Sequence, residues 1–222
     1  MIQRQYTDRQ LSLNMSHTLG ERQAPLMRLP LPDADLLWAE TWWNWEQSDQ
    51  IFAQLLTETP WYQETAHLFN KQIPLPRLTA WYGDAGKAYT YSGITMQPTP
   101  WTDTLLALKI AVETIVSTQF NSVLLNLYRD GQDGVGWHSD AEPALGRNPA
   151  IASVSFGATR RFSLKHKYRK ELKPVHLELG HGSLFVMQGA TQHYWVHQVP
   201  KTAKPVGQRI NLTFRTIQCE SE

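Results

Sequence analysis

The chain has 222 residues, of which 41% are hydrophobic and 18% are charged, and its formal net charge is +1. This size and composition suit one domain with a well-buried core, and the small net charge argues against a surface that is basic all over. The single cysteine excludes an internal disulfide, and the sequence shows no apolar run of membrane-spanning length and no signal-peptide pattern. We therefore expect a cytoplasmic protein without a membrane partner, or a nuclear one if the source is eukaryotic.

The N-terminal segment, residues 1–32, is polar, carries several arginines and prolines, and shows no sustained hydrophobic period. It is predicted to be a mobile arm or an extended strap that precedes a single domain over residues 33–222. Within that domain, a first helix is predicted to begin at an N-cap on Ser48 and to end before Pro60.

A second helix is predicted from about Thr102 to Thr118, because apolar residues recur there at helical spacing. The predicted buried stripe consists of Leu105, Leu108, Val112, Ile115 and Val116. After Phe120 the pattern changes to short strands broken by turn sequences such as Asp130-Gly131. This change is typical of an antiparallel double-sheet fold.

The tripeptide His138-Ser139-Asp140 has the spacing of a candidate metal site. In a strand, residues i and i+2 point to the same face, roughly 7 Å apart, so both side chains can converge on one ion. With a histidine from another strand they would form the two-histidine, one-carboxylate triad of non-haem Fe(II) oxygenases. A lone His-x-Asp tripeptide also arises by chance and is compatible with a purely structural role.

A run of basic residues follows, which consists of Arg160, Arg161, Lys165, His166, Lys167, Arg169, Lys170 and Lys173. Two interpretations fit this cluster: a solvated hairpin, or a local patch that contacts nucleic-acid phosphates.

The segment Arg209–Arg215 alternates strictly, with Ile210, Leu212 and Phe214 on one side of a predicted strand and the polar residues on the other. The polar face therefore carries two arginines. It could be a solvated sheet surface, or it could bind a small dicarboxylate, because guanidinium groups bind carboxylates in a bidentate manner.

Several segments resemble, in the same order, the AlkB family of Fe(II)- and 2-oxoglutarate-dependent nucleic-acid dioxygenases. The resemblance covers residues from about 60 to 217 and is closest to the second and third AlkB homologues. Its segments are 76–84, 89–93, 126–128, 138–140, 151–160, the stretch around His193, and 209–215.

The resemblance implies a mainly β fold, a double-stranded β-helix (jelly-roll) core flanked by two supporting helices. It divides the domain into a nucleotide-recognition part with support helices, residues 33–118, and a core, residues 119–217. It also implies Fe(II), 2-oxoglutarate as cosubstrate, and O2. The expected activity is oxidative demethylation of N-alkylated bases such as 1-methyladenine and 3-methylcytosine in DNA, through a ferryl oxidant that releases formaldehyde. The expected partner is alkylated DNA or RNA, bound by a monomer.

The same resemblance assigns residues to the site. His138, Asp140 and His193 match the iron ligands. His197 lies four residues further, roughly 13 Å from His193 on a strand, so one ion could not easily bind both. Tyr128 and Arg209 match the residues that hold the distal carboxylate of 2-oxoglutarate. Three others match those that hold the end nearer the iron: Asn126, Asn211 and Arg215.

The base-binding residues are also assigned by resemblance. Tyr89, Tyr91 and Ser92 match a loop over the extruded base, although cross-strand tyrosines of a surface hairpin would look the same. Glu142 matches a carboxylate near the exocyclic amine of the base. The sequence departs from its relatives at Ala141, where the second and third homologues are acidic, which puts fine base selectivity in doubt.

Phe69 precedes Pro76 by seven residues, the spacing at which the duplex-repair homologue carries an intercalating phenylalanine. It is predicted to be a wedge in the base stack, although ordinary packing is an alternative. Two further functions remain open: an oxygenase that acts on RNA or on a protein side chain, and a non-catalytic reader of alkylated DNA.

Overall fold

The computed structural model describes residues 25–68, 71–86, 89–91, 94–96 and 98–218, with the backbone alone at 67–68, 89–91 and 94–96. The described chain is built on two antiparallel sheets and two long helices. In chain order the elements are β1 (Met27–Leu29), β2 (Asp35–Ala39), α1 (Trp45–Glu58), β3 (Thr65–Leu68), β4 (Lys71–Pro74), β5 (Leu78–Gly83), β6 (Tyr89–Tyr91), β7 (Ile94–Met96), α2 (Asp103–Val116), β8 (Ser122–Tyr128), β9 (Val135–His138), β10 (Ile151–Gly157), β11 (Arg160–His166), β12 (Val175–Leu179), β13 (Ser183–Gln188), α3 (Thr191–Tyr194), β14 (Trp195–Val199) and β15 (Arg209–Arg215). A 3₁₀ turn spans Pro143–Leu145.

The larger sheet has seven strands in the order β1-β2-β13-β10-β15-β8-β5, and the smaller has four in the order β12-β11-β14-β9. Two hairpins, β3-β4 and β6-β7, lie outside them. In the larger sheet, β15 is central and is paired in continuous register with both β10 and β8. Its side chains are therefore shielded from water by neighbours on both sides.

Successive side chains on the strands of the larger sheet alternate between two hydrophobic cores, one on each face of the sheet. On β13, Leu184 and Val186 pack into a core that also contains the helices, whereas Phe185 and Met187 pack into a second core that contains strands of the smaller sheet. Successive side chains of a strand point to opposite faces, so one sheet can serve both cores. The second core is where the two sheets face each other and where the candidate site lies.

The helices cover the outer face of the larger sheet. α2 begins close to the predicted position, with Thr102 as its N-cap, since the Thr102 hydroxyl accepts a hydrogen bond from the Leu105 amide at 3.3 Å. α1 begins earlier than predicted, because the Asn44 side chain accepts from the Gln47 amide at 2.9 Å. The prediction of Ser48 as N-cap was therefore wrong. Ser48 is buried in the first turn of the helix.

The N-terminal boundary also differs from expectation. Residues 27–29 of the predicted arm form the edge strand β1, which pairs with β2, whereas residues 1–24 lie outside the described residues. Residues before 119 contribute β1, β2 and β5 to the larger sheet, so the core is not confined to residues 119–217. Among the described helices, none combines the length and the apolar character needed to cross a membrane.

Candidate metal and cosubstrate site

Three side chains that can bind a metal converge between the two sheets. His138 ends β9, Asp140 lies two residues further, and His197 lies on β14 directly opposite His138 in the antiparallel pairing. One ligand atom from each residue lies within 4.8 Å of the other two. This geometry fits a facial triad of two histidines and one carboxylate, which leaves coordination positions open on one side of an ion.

The structure corrects the third member of the predicted triad. His193 lies on the short helix α3, one turn before the strand that carries His197, and its Nε2 is 3.0 Å from Oδ1 of Asn148. The expectation of one strand over residues 193–197 is wrong, and His197 instead of His193 lies beside the other two side chains. His197 reaches His138 because the helical turn ends at Tyr194 and the strand then begins.

The His138 ring is oriented by its own strand. Its Nδ1 is 2.8 Å from the carbonyl oxygen of Gly136, a contact that places the proton on Nδ1. Nε2 then keeps a free lone pair, and it lies 4.0 Å from Oδ1 of Asp140. A backbone carbonyl in this role is a common way to fix the tautomer of a metal-binding histidine.

His197 is 4% exposed and stacks on Phe162 with ring centroids 5.2 Å apart. Burial lowers the pKa of His197 to about 3, although the negative charge of Asp140 opposes this shift. The imidazole is therefore neutral at physiological pH, which is the protonation state that a metal ligand requires.

Asp140 is buried but ionised. Burial alone would raise its pKa, yet the charge of Arg215, the largest opposing influence, holds the pKa of Asp140 below its usual value. Nη2 of Arg215 donates a hydrogen bond to Oδ1 of Asp140 at 2.8 Å, and the Asp140 amide donates to Oε1 of Gln192 at 2.9 Å. Asp140 is thus held in place by a hydrogen bond to its carboxylate and by another from its backbone amide.

Gln192 and Lys167 form a clamp on the metal-binding loop that sequence reasoning did not identify. Nζ of Lys167 donates to the Ser139 hydroxyl at 3.0 Å and to the Gln192 carbonyl at 2.8 Å. Gln192 is 1% exposed and precedes His197 by five residues. The clamp therefore ties the His138–Asp140 loop to the segment that leads into the third ligand. No sequence pattern predicts it, because it depends on how α3 packs.

The polar face of β15 is buried, as a ligand-binding face requires. Arg209 lies opposite Tyr128 of β8 and Asn211 lies opposite Asn126, so four of the five residues that the sequence assigns to the cosubstrate come together. A cavity of about 460 Å³ is lined by the metal-binding triad and by Asn126, Tyr128, Asn211 and Arg215. Arg209 does not line this cavity, but it contacts two residues that do.

Arg209 is 1% exposed, and its guanidinium is only partly satisfied. Nη2 donates to the Ser155 hydroxyl at 2.9 Å and to Oδ1 of Asn211 at 2.8 Å, whereas Nε and Nη1 are buried without a hydrogen-bond partner. The guanidinium carbon lies 5.2 Å from the centroid of the Tyr128 ring. Burial lowers the pKa of Arg209 to about 10, so the group remains charged at neutral pH.

A buried cation with two unpaired donors is costly unless an anion completes it. Within the described residues, no carboxylate forms an ion pair with Arg209. Nε of Arg215 is likewise buried without a hydrogen-bond partner. These unmet donors fit a small dicarboxylate, and the triad beside them fits a divalent metal.

The predicted base contacts are described only in part. Glu142 lines the cavity, and its Oε2 is buried without a hydrogen-bond partner. For Tyr89 and Tyr91 only the backbone of β6 is described, and Ser92 and Phe69 lie outside the described residues. The roles of these four residues remain predictions.

The structure divides the basic cluster. Arg160 is 3% exposed and donates to the carbonyl oxygens of Asp130, Asp133 and Pro200, and His166 is also buried. The predicted phosphate contact was therefore wrong for these two residues. Five members are exposed and remain candidates for it: Arg161, Lys165, Arg169, Lys170 and Lys173.

Comparison with known proteins agrees with this site. Residues 35–215 match the family model of the 2OG-Fe(II) oxygenase superfamily. The bovine alpha-ketoglutarate-dependent dioxygenase alkB homolog 3 is 48% identical over 180 residues, which cover 78% of this chain and 62% of the relative. Human DNA oxidative demethylase ALKBH2 is 40% identical, over 77% of this chain and 69% of the relative.

The chain thus spans about 62% of the length of the alkB homolog 3 relatives that it matches. Among solved structures, OsALKBH1 superposes with a TM-score of 0.59 at 20% identity, over 86% of this chain and 100% of that one. This likeness concerns the fold, and with the matched family model it confirms the predicted jelly-roll class.

The first prediction separates the two neighbouring histidines. His197→Ala should lower the affinity for Mn(II) by more than the roughly 100-fold that loss of an outer partner of a metal ligand can cause. His193→Ala should leave it unchanged. Calorimetric titration of both variants measures the difference, and a larger loss in His193→Ala would return the ligand assignment to His193.

The second prediction concerns the clamp. Lys167→Met removes the hydrogen bonds to Ser139 and Gln192, and it should weaken Mn(II) binding roughly 10-fold because the loop is less well ordered. Lys170→Met, at an exposed position, is the matched control. Equal Mn(II) affinities in the two variants would show that the clamp does not support the metal site.

Proposed function

The chain belongs to the AlkB family of the 2OG-Fe(II) oxygenase superfamily, and on this basis we propose that it oxidatively demethylates N-alkylated bases in DNA. The observation that carries this proposal is that a facial triad lines a cavity beside the buried Arg209, whose guanidinium has donors without a partner. The triad would bind the metal, and Arg209 would bind a carboxylate of the cosubstrate. The rest of the cavity wall would contact the base.

When bound, Fe(II) and 2-oxoglutarate supply oxidation of the methyl group by O2, and 2-oxoglutarate is converted to succinate and carbon dioxide. His138, Asp140 and His197 would hold the metal. Arg209 and Tyr128 would bind the distal carboxylate of the cosubstrate through a charge-assisted pair. Asn126, Asn211 and Arg215 would bind its other end.

Arg215 has two roles in this proposal. It is already bonded to Asp140 through Nη2, and its unpartnered Nε remains available to the cosubstrate. One guanidinium would then fix the orientation of the cosubstrate relative to a metal ligand. Such fixed geometry reduces the entropic cost of reaching the reactive arrangement.

The base would enter the cavity after extrusion from the nucleic-acid strand. The unpartnered Oε2 of Glu142 would accept a hydrogen bond from the exocyclic amine of 1-methyladenine or 3-methylcytosine. The choice of DNA is supported by the relatives named DNA oxidative demethylase, which are about 40% identical. This substrate would place the protein in the cytoplasm, or in the nucleus of a eukaryotic source.

The experiment is a demethylation assay with Fe(II), 2-oxoglutarate and ascorbate on oligonucleotides that carry 1-methyladenine or 3-methylcytosine. Single-stranded DNA, duplex DNA and RNA of the same sequence are compared by mass spectrometry. We expect loss of the methyl group from DNA and no loss with Asp140→Ala. Methyl loss from RNA alone would show that the substrate is RNA and not DNA. Tight binding without any methyl loss would indicate a non-catalytic reader of alkylated bases.

A further prediction tests the cosubstrate assignment. Arg209→Ala should weaken binding of 2-oxoglutarate to the Mn(II)-loaded protein about 10- to 100-fold, since hydrogen bonds to charged groups contribute about 1.5–3 kcal/mol. Arg209→Lys should give an intermediate loss, because lysine keeps the charge but not the planar fork. Arg161→Ala, on the exposed face of β11, is the control. Unchanged 2-oxoglutarate affinity in Arg209→Ala would rule out the assignment.

A further inference from the structure

Glu64 is a carboxylate in the cavity wall that none of the roles above uses. It lies just before β3, beside the edge strand β5. The Tyr62 and Thr79 backbones exchange two hydrogen bonds, at 3.1 and 2.8 Å, and the Leu75 amide donates to the Glu64 carbonyl at 2.8 Å. Hydrogen bonds therefore link the backbone around residue 64 to β5 of the larger sheet and to the segment that follows β4.

The carboxylate of Glu64 is oriented by two hydroxyl groups. Its Oε1 accepts a hydrogen bond from the buried Thr79 hydroxyl at 2.9 Å and from the Tyr62 hydroxyl at 3.2 Å. Oε2 accepts no hydrogen bond from the residues that the structure describes. Glu64 thus lines the cavity, with Oε1 held by two hydrogen bonds and Oε2 available to a ligand.

Among the residues that the structure describes, Glu64 forms no ion pair. Arg77 also lines the cavity, but it forms no ion pair with Glu64 within the described residues, and its own Nε is buried without a hydrogen-bond partner. A preoriented carboxylate without a cationic partner is the arrangement expected at a site that receives a positively charged ligand.

Charge is distributed unevenly around the cavity. The cations that suit the cosubstrate, Arg209 and Arg215, lie on β15, two strand spacings from β5 in the larger sheet, or roughly 10 Å. The carboxylates of Glu64 and Glu142, which are not members of the triad, lie on other parts of the wall. An anion is therefore favoured at β15. On the β5 side Arg77 also lines the cavity, so a cation is favoured only where it contacts the available oxygen of Glu64 directly.

Alkylated bases differ in charge in a way that such a wall can recognise. Methylation at N1 of adenine or N3 of cytosine gives a base that is cationic at neutral pH, whereas methylation at N3 of thymine leaves the base neutral. We propose that Glu64 is a specificity-determining residue that selects cationic over neutral alkylated bases. The proposal rests on the demethylase function proposed above.

The test is Glu64→Gln, which keeps an oxygen acceptor for Tyr62 and Thr79 and removes only the charge. For single-stranded DNA with 3-methylcytosine, kcat/KM should fall about tenfold, mainly through KM, because a hydrogen bond to a charged group is replaced by a neutral one. For the matched oligonucleotide with 3-methylthymine it should be unchanged or higher. Glu58→Gln, at the exposed end of α1, is the control variant.

Binding is measured in parallel by fluorescence anisotropy of the same oligonucleotides on Mn(II)-loaded protein without O2. Here Glu64→Gln should weaken binding of the 3-methylcytosine oligonucleotide alone. Equal losses on both oligonucleotides would show a structural role, and tighter 2-oxoglutarate binding with equal gains on both would show an effect on the cosubstrate. Either result overturns the proposal. If the wild-type protein demethylates neither oligonucleotide, the demethylase function fails, and the binding comparison still decides the role of Glu64.

Discussion

The ion pair between Arg215 and Asp140 joins the two sheets at the site. Arg215 ends β15 in the larger sheet, and Asp140 follows β9 of the smaller one. Asp140 is buried and Arg215 is partly buried, so removal of Arg215 would leave the Asp140 charge uncompensated in the interior. This pair also sets the protonation state of Asp140, because burial alone would favour the neutral acid. The metal triad and the cosubstrate face thus depend on one contact for their relative position.

The second constraint is the buried charge of Arg209. Central strands usually carry apolar residues on both faces, yet here a guanidinium lies between Ser155, Asn211 and the Tyr128 ring with two donors unused. Such an arrangement is costly in the empty protein and becomes favourable when a carboxylate enters. Under the proposed function, these unmet donors contribute binding energy for the cosubstrate, and the hydrogen bonds to Ser155 and Asn211 orient the side chain.

The cavity combines two electrostatic requirements that would cancel each other if they overlapped. Under the proposed function, the cosubstrate is a dianion, and the substrate, an alkylated adenine or cytosine, is a cation. Placement of Arg209 and Arg215 on the central strand β15 and of Glu64 beside the edge strand β5 separates these two carboxylate- and cation-binding groups by two strand spacings. The rigid register of the sheet keeps them apart, because a residue on one strand cannot move to the next without breaking the hydrogen-bond ladder.

Local patterns in the sequence predict the mainly β fold, a helix from about residue 102 to 118, which the structure shows over Asp103–Val116, and the polar face of β15, because alternation and helical periodicity are local properties of the chain. The sequence also located His138 and Asp140, whose spacing alone places them on one face. The place of His197 in the triad follows from tertiary contacts alone. It depends on a single helical turn at 191–194 and on the pairing of β14 with β9, and both are set by packing between segments that lie far apart in the chain. Glu64 and Gln192 escaped sequence analysis for the same reason, since each becomes meaningful only through the distant groups that it contacts.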